Sequence, residues 1–261
     1  MRINDTKRKL QNGQVALGCW TGLASSRGLR RLAADTGFDW MMIDTEHNPI
    51  DRELSASCIL SIADGSGGRV APLARVPDLA QGHVKHMLDS GAYGVLAPLI
   101  FTVEEAEAFV RSCRYPPQGV RGVYASAPAA YTFDAPFDDY YRTANEQVLV
   151  AVQIETLPAL HAAEAIAAVD GVDVLFVGPN DLQAALGLHP KSGSTEPKYL
   201  EALRAVVRAC NKHGKAPGIL APNAEVGRNM MAEGFTFVGV GNDLSFMLNG
   251  AKATLEAVRA G

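Results

Sequence analysis

Two acidic residues, Glu155 and Asp181, each follow a short apolar run of the chain. The runs, residues 148–154 and 172–177, are rich in β-branched residues and lack a polar alternation, which is typical of buried parallel strands. Parallel strands end at one common rim, where the active sites of α/β barrels form. Because neighbouring strands lie about 4.8 Å apart, the pair is predicted to share one hard divalent cation. Either acid alone could instead cap a helix or form a salt bridge.

Other predicted strands also end in side chains capable of chemistry. The second strand is followed by Asp44, Glu46 and His47, and the third ends at Arg75. Arg75 has the forked shape that binds a carboxylate through two hydrogen bonds, and a salt bridge to Asp44 or Glu46 is the alternative. His47 is a candidate general acid–base, or else a structural histidine. So many charged residues at one rim predict a site, because they would otherwise repel or stay unpaired.

Lysine is missing from this predicted rim. No Lys follows the carboxyl end of a predicted strand, and Lys215 precedes the seventh strand, at the opposite end of a barrel. A Schiff-base mechanism needs a Lys at the active rim. Carbonyl chemistry here is therefore expected to depend on a metal ion.

Eight strand candidates alternate with helical patterns along the chain. The strand candidates are 15–20, 38–43, 70–74, 93–98, 148–154, 172–177, 216–220 and 235–240, and the helical patterns include 54–64, 79–90, 103–113, 157–169 and 198–213. This repeat predicts an α/β fold, a (β/α)8 TIM barrel, and the length suits one domain over residues 1–261. An open doubly wound sheet is the rival, but no Gly-rich dinucleotide fingerprint follows the first strand.

The fourth and fifth strands are separated by more chain than one helix fills. The excess, about residues 115–147, contains Pro116, Pro117 and several aromatic residues. We predict a long ordered loop near the active-site mouth, since long loops in compact domains are often functional. The alternative is a surface insertion that serves subunit contact.

Composition excludes several classes of protein. The net charge is −4 with no long basic run, which argues against nucleic acid as a partner. No apolar stretch approaches the roughly 20 residues of a membrane span. The polar start of the chain, residues 1–14, has no apolar signal core, which predicts a cytoplasmic protein. The four cysteines are far apart, so free buried thiols are expected, with a catalytic Cys as the minor alternative.

Several ordered strings of residues resemble the metal-dependent (class II) pyruvate aldolases of the 4-hydroxy-2-oxoheptanedioate and 2-dehydro-3-deoxygalactarate aldolase family. The likeness runs nearly end to end. The matching strings are Gly37–Trp40, Asp44–His47, Leu88–Ala92, Arg114–Pro117, Arg121–Val123, Val152–Thr156, Gly178–Leu182 and Ala216–Leu220.

The resemblance implies a barrel of the phosphoenolpyruvate/pyruvate-binding type, with a swapped C-terminal helix and a homohexamer built from dimers. It implies Mg²⁺, Mn²⁺ or Co²⁺ as cofactor. The residue roles that it implies are metal ligation by Glu155 and Asp181, pyruvate binding by Arg75, Gln153, Gly178 and Asn180, and acid–base chemistry by His47 with Asp89 from an adjacent subunit.

The implied activity is reversible cleavage of a 4-hydroxy-2-oxo acid to pyruvate and an aldehyde, through an enolate that the cation stabilises. The chain departs from the family pattern over residues 124–131, which contain no Arg. This departure favours a less charged acceptor aldehyde than the family's diacids and sugar acids. The alternatives are another metal-dependent lyase of this barrel, acting on acyl-CoA or phosphoenolpyruvate-like substrates, and a non-catalytic homologue.

Overall fold

The computed structural model describes residues 1–124 and 136–260. Eight parallel strands close into a barrel in chain order, as predicted. The strands are β1 Ala16–Thr21, β2 Trp40–Asp44, β3 Ala71–Arg75, β4 Gly94–Ala97, β5 Leu149–Ile154, β6 Val174–Val177, β7 Ala216–Ala221 and β8 Phe237–Asn242.

Helices follow or precede each strand. Those of the described residues are α1 Asp5–Gln11, α2 Ser26–Asp35, α3 Arg52–Ser66, α4 Gln81–Asp89, α5 Val103–Cys113, α6 Phe137–Gln147, α7 Leu157–His161, α8 Ala163–Ala167, α9 Pro179–Ala185, α10 Pro197–His213, α11 Ala224–Ala232 and α12 Asp243–Ala260. The predicted helix 157–169 is interrupted at Ala162, where φ is −92° and ψ is 7°.

Aromatic side chains fill the barrel below the rim. The rings of Trp40 and Phe237 stack with centroids 4.2 Å apart, and Trp20 meets Phe176 at 5.2 Å. The neighbouring strand β1 passes close to these rings, and a Cβ at Gly18, which pairs with Trp40, would lie 2.1 Å from the Trp40 ring. Trp20, Trp40, Phe176 and Phe237 are all buried, so they form a close-packed interior beneath the strand ends.

Strand register brings the predicted site residues to one end of the barrel. Asp44, the last residue of β2, pairs directly with Arg75, the last residue of β3. Ile154 of β5 pairs with Val177 of β6, so Glu155 lies beside Gly178 just beyond the two strands. The rim predicted from strand ends is thereby formed.

The structure describes the segment 115–147 in two parts. Its second half is helix α6, and Arg121 in its first half forms an ion pair with Asp89 at the end of α4. Gln81 Nε2, at the start of α4, donates to the carbonyl of Val120 at 2.6 Å, and a position of the loop near the mouth stays a prediction. Residues 125–135, the rest of the predicted loop, lie outside the described residues.

The C-terminal helix α12 makes little contact with its own barrel. None of its residues is buried, and its exposed side chains include Phe246, Met247, Leu255 and Val258. An apolar helix surface of this size is typical of a segment that packs on another chain. The predicted helix swap stays a prediction.

The four cysteines, Cys19, Cys58, Cys113 and Cys210, are free and buried, as expected. Burial raises the pKa of the Cys113 thiol to about 12, which leaves it protonated and unreactive at neutral pH. Among the described helices, none has the length and apolar character to span a bilayer.

Candidate active site

Arg75 is the buried cation of the rim. Only 8% of its surface is exposed, and Asp44 binds it through two parallel contacts, Nε–Oδ1 at 2.9 Å and Nη2–Oδ2 at 2.7 Å. Its third nitrogen, Nη1, lies 2.9 Å from Glu46 Oε2 and donates to Gln153 Oε1 at 3.4 Å. The salt bridges considered as the alternative for Arg75 are therefore formed, with both acids at once. They orient the guanidinium, and its Nη1 edge faces the residues of β5.

Glu46 is less well satisfied than Asp44. Its buried Oε2 has no hydrogen-bond partner in good alignment, although Arg75 lies within ion-pair distance. Burial raises the pKa of the Glu46 carboxyl, and the Arg75 charge opposes that rise. Arg75 is thus a charged partner of this oxygen, but the oxygen still lacks the aligned hydrogen bond that burial normally requires.

Glu155 is the most perturbed acid of the site. It is 3% exposed, and burial raises its pKa to about 7, with Asp181 and Glu46 adding to the rise through their negative charges. The Leu99 N–H donates to its Oε1 at 2.8 Å and Gln153 Nε2 donates to its Oε2 at 2.6 Å. Such a strongly perturbed acid at a barrel mouth is typical of a functional group.

Gly178 permits this arrangement. A Cβ at residue 178 would lie 2.0 Å from Glu155 Oε2 and 3.0 Å from Gln153 Nε2. No side chain larger than hydrogen fits there without moving the carboxylate. The backbone of the β6–α9 junction therefore forms one wall of a cradle whose other wall is Glu155.

Asp181 and Asn180 occupy the first turn of α9, and both are exposed. The Asp181 charge raises the pKa of Glu155 and of Glu46, so the three carboxylates lie within electrostatic range of one another. The predicted convergence of Glu155 and Asp181 thus has electrostatic support.

His47 lies at the outer edge of the site. Its side chain is 64% exposed, and Nε2 is 3.8 Å from Glu46 Oε2. Its backbone N–H points at Asp44 Oδ1, at 3.5 Å. An imidazole in this position is free to meet a ligand that enters from the mouth.

Asp89 is not brought to this rim. It ends α4 and pairs with Arg121, Nη2–Oδ1 at 2.9 Å, and the fully buried guanidinium also stacks on Tyr115 at 4.4 Å. Tyr140 accepts a further hydrogen bond from Arg121 at 3.4 Å. The predicted partnership of Asp89 with His47 therefore requires a second chain, as the resemblance implies, and it stays a prediction.

The donor set fits a hard divalent cation. Within residues 1–124 and 136–260, no three His, Cys, Asp or Glu side chains form a metal-binding group by themselves. The remaining possibility is a site with two carboxylates, which Mg²⁺ and similar ions complete with water and substrate oxygens. Burial and the charges of Asp181 and Glu46 disfavour the ionised form of Glu155, and a cation bound beside it would favour that form again.

Sequence reasoning missed two residues of the site. Trp20 at the end of β1 lies under Arg75, with its ring centroid 5.5 Å from the guanidinium carbon. Leu99 follows β4 and contributes a backbone N–H, which no side-chain pattern reveals. The sequence offered one signal for Trp20, its position beside the end of a predicted strand.

Comparison with known proteins identifies relatives over almost the whole chain. The family model described as HpcH/HpaI aldolase/citrate lyase matches residues 16–250. A protein of Klebsiella pneumoniae subsp. pneumoniae named 5-keto-4-deoxy-D-glucarate aldolase is 37% identical over 256 residues, 98% of this chain and 97% of its own. A protein of the same name from Shigella dysenteriae is 39% identical over 241 residues, 92% of this chain and 91% of its own.

Solved structures agree with this result. An HpcH/HpaI aldolase/citrate lyase family protein from Burkholderia cenocepacia superposes with a TM-score of 0.90 at 36% identity, covering 98% of this chain and 99% of its own. The predicted resemblance to class II pyruvate aldolases, the barrel and the aldehyde-lyase class are confirmed. From residue 16 to residue 250, the chain belongs to the HpcH/HpaI aldolase/citrate lyase family.

Proposed function

We propose that this protein cleaves a 4-hydroxy-2-oxo acid reversibly to pyruvate and an aldehyde with the help of a divalent cation. One observation carries the proposal: a buried guanidinium, Arg75, is linked through Gln153 to the buried carboxyl of Glu155 at the mouth of the barrel. A 2-oxo acid presents a carboxylate and a carbonyl oxygen side by side. The positive Arg75 suits the substrate carboxylate, and the negative Glu155 suits the cation that binds the substrate.

The proposed ligands of the cation are Glu155 and Asp181, completed by water and substrate oxygens. A bound Mg²⁺, Mn²⁺ or Co²⁺ would supply Lewis-acid stabilisation of negative charge on the 2-oxo group. Gly178 lets the Glu155 carboxylate lie directly against the β6–α9 junction, because a Cβ at residue 178 would lie 2.0 Å from Glu155 Oε2.

Substrate orientation falls to Arg75 and its neighbours. The guanidinium is held by Asp44, so it is preorganised to meet the pyruvate carboxylate with its Nη1 edge. Gln153 bridges the two halves of the site, since its amide contacts both Arg75 and Glu155. The backbone around Gly178 and Asn180 is proposed as a further contact of the pyruvate part.

Removal of the proton from the C4 hydroxyl is assigned to His47. Its exposed imidazole lies where the aldehyde half of the substrate would project from the mouth. Asp89 of an adjacent subunit is proposed to assist, and Arg121 holds that carboxylate in a defined position. The exposed apolar surface of α12 is proposed to pack on a second copy, within a homohexamer.

The first substrate to test is 5-keto-4-deoxy-D-glucarate, because the relatives at 37–39% identity carry that name. The sequence departure at 124–131, of which 125–131 lie outside the described residues, argues for a less charged aldehyde instead. A panel of pyruvate with charged and uncharged aldehydes, read by mass spectrometry, separates the two.

The acyl-CoA alternative has weaker support. It requires a basic patch for the phosphates of CoA, and Arg27, Arg30 and Arg31 on α2 are the residues that could form one. Arg30 pairs with Asp64 and Arg31 with Asp35, each at 2.7 Å, so two of the three charges are balanced.

The decisive experiment measures pyruvate release by wild type, Glu155→Ala and Asp181→Ala, with and without EDTA. Loss of a metal ligand should lower kcat/KM by about a thousandfold or more, the equivalent of several kcal/mol of transition-state stabilisation. Added Mg²⁺, Mn²⁺ or Co²⁺ should restore the EDTA-treated wild type and neither variant. Full activity in metal-free protein would rule the mechanism out.

A further inference from the structure

Leu99 has an unusual backbone conformation. Among the residues that the structure describes, the non-glycine residues with positive φ are Ala24 and Leu99, both at 48°. The left-handed region is unfavourable for a leucine and persists only where the surroundings impose it. Both residues lie in loops that follow barrel strands, on the side of the candidate active site.

The neighbours of Leu99 impose this conformation. Pro98 and Ile100 are buried, whereas 48% of Leu99 is exposed. Thr156 Oγ1 donates to the carbonyl of Ile100 at 2.9 Å and ties the loop to the end of β5. The chain must therefore turn sharply between two anchored residues, and Leu99 takes the turn.

The turn aims the Leu99 N–H at Oε1 of Glu155, at 2.8 Å. The other oxygen of that carboxylate receives Gln153 Nε2 at 2.6 Å. Two donors from separate elements thus hold the two oxygens, and each bond is strengthened by the carboxylate charge when Glu155 is ionised. A carboxylate held at both oxygens has little rotational freedom left.

We propose that Leu99 is a positioning residue of the active site, whose left-handed backbone fixes Glu155 in the orientation that binds the cation. The inference rests on the proposed role of Glu155 as a metal ligand. It assigns the function to the backbone of residue 99, and the leucine side chain is dispensable for it.

Three substitutions separate the backbone from the side chain. Leu99→Asn removes the apolar side chain but tolerates positive φ, because asparagine adopts the left-handed region more readily than other residues with a side chain. Leu99→Val keeps an apolar side chain, but its β-branch is incompatible with positive φ. Leu99→Thr repeats the β-branch with a polar side chain, in case the valine variant folds poorly.

The measurement is the Mn²⁺ dissociation constant of metal-stripped protein by calorimetry, with folding checked by circular dichroism. Leu99→Val and Leu99→Thr should bind Mn²⁺ about 10–100-fold more weakly, the range seen when a group that orients a metal ligand is lost. The dissociation constant of Leu99→Asn should stay within about threefold of wild type, because its backbone N–H keeps the same position.

The possible outcomes test the role of Leu99 and the proposed function separately. Equal Mn²⁺ affinity in wild type and both β-branched variants would overturn the role of Leu99 alone. Weakened binding in Leu99→Asn, with normal binding in the β-branched variants, would also overturn it by assigning the effect to the side chain. A folded wild type that binds none of Mn²⁺, Mg²⁺ and Co²⁺ in the same assay would overturn the proposed function itself.

Discussion

Replacement of Glu155 by Gln is expected to stabilise the metal-free protein at alkaline pH, although it should abolish activity. Burial raises the pKa of Glu155 to about 7 from an ordinary value of 4.5. An acid whose pKa is higher in the folded state binds its proton more tightly there. Its contribution to stability is therefore complete below pH 4.5 and is lost as the pH rises through 7.

The size of the effect follows from the two pKa values. Between pH 5 and pH 8 the wild type should lose about 2–3 kcal/mol of unfolding free energy at this residue, at about 1.4 kcal/mol for each pKa unit. A glutamine stays neutral and escapes this loss. Its amide would face the Nε2 donor of Gln153, which offsets about 1 kcal/mol at every pH.

The assay is urea unfolding in EDTA at pH 5 and pH 8, at one fixed protein concentration because subunit association shifts apparent stability. The difference in unfolding free energy between Glu155→Gln and wild type should rise by about 2–3 kcal/mol from pH 5 to pH 8. Glu107→Gln, at an exposed position, should show no such rise. If Glu155→Gln and wild type change equally with pH, the carboxyl is not perturbed as described.

Three further experiments test other parts of the site. Gly178→Ala should lower pyruvate release by about 100-fold, since its Cβ would displace Glu155. Gly82→Ala, at a position with open space around it, should leave activity unchanged. Equal effects of the two substitutions would refute the role of Gly178. Arg75→Lys should raise KM for pyruvate in the condensation direction by about tenfold, because a lysine lacks the fork that Asp44 orients; an unchanged KM would contradict this role. Mixing inactive Asp89→Asn and Glu155→Gln chains should regain activity through mixed oligomers, and a mixture that stays inactive after subunit exchange would refute a role for Asp89 in the neighbouring site.

Local patterns in the sequence were sufficient to predict the barrel and its rim. A short β-branched run reports a buried strand, and the residue after it must lie at the carboxyl end of that strand. For this reason Arg75, Glu155 and Asp181 could be assigned to one rim without knowledge of any contact between them. The family strings added roles to these residues, which strand positions alone do not contain.

Contacts between distant segments were decided by the tertiary structure. The Leu99 N–H reaches Glu155 through a backbone turn that depends on how two loops pack. The length of segment 115–147 likewise did not reveal that Arg121 pairs with Asp89 or that the segment ends in helix α6. The close fit of Gly178 against Glu155 likewise exists only after β5 and β6 pair in register. The sequence determined which groups stand at the mouth, because strand ends are local features. Barrel closure decided which of them meet, because distances across the mouth depend on the register of all eight strands.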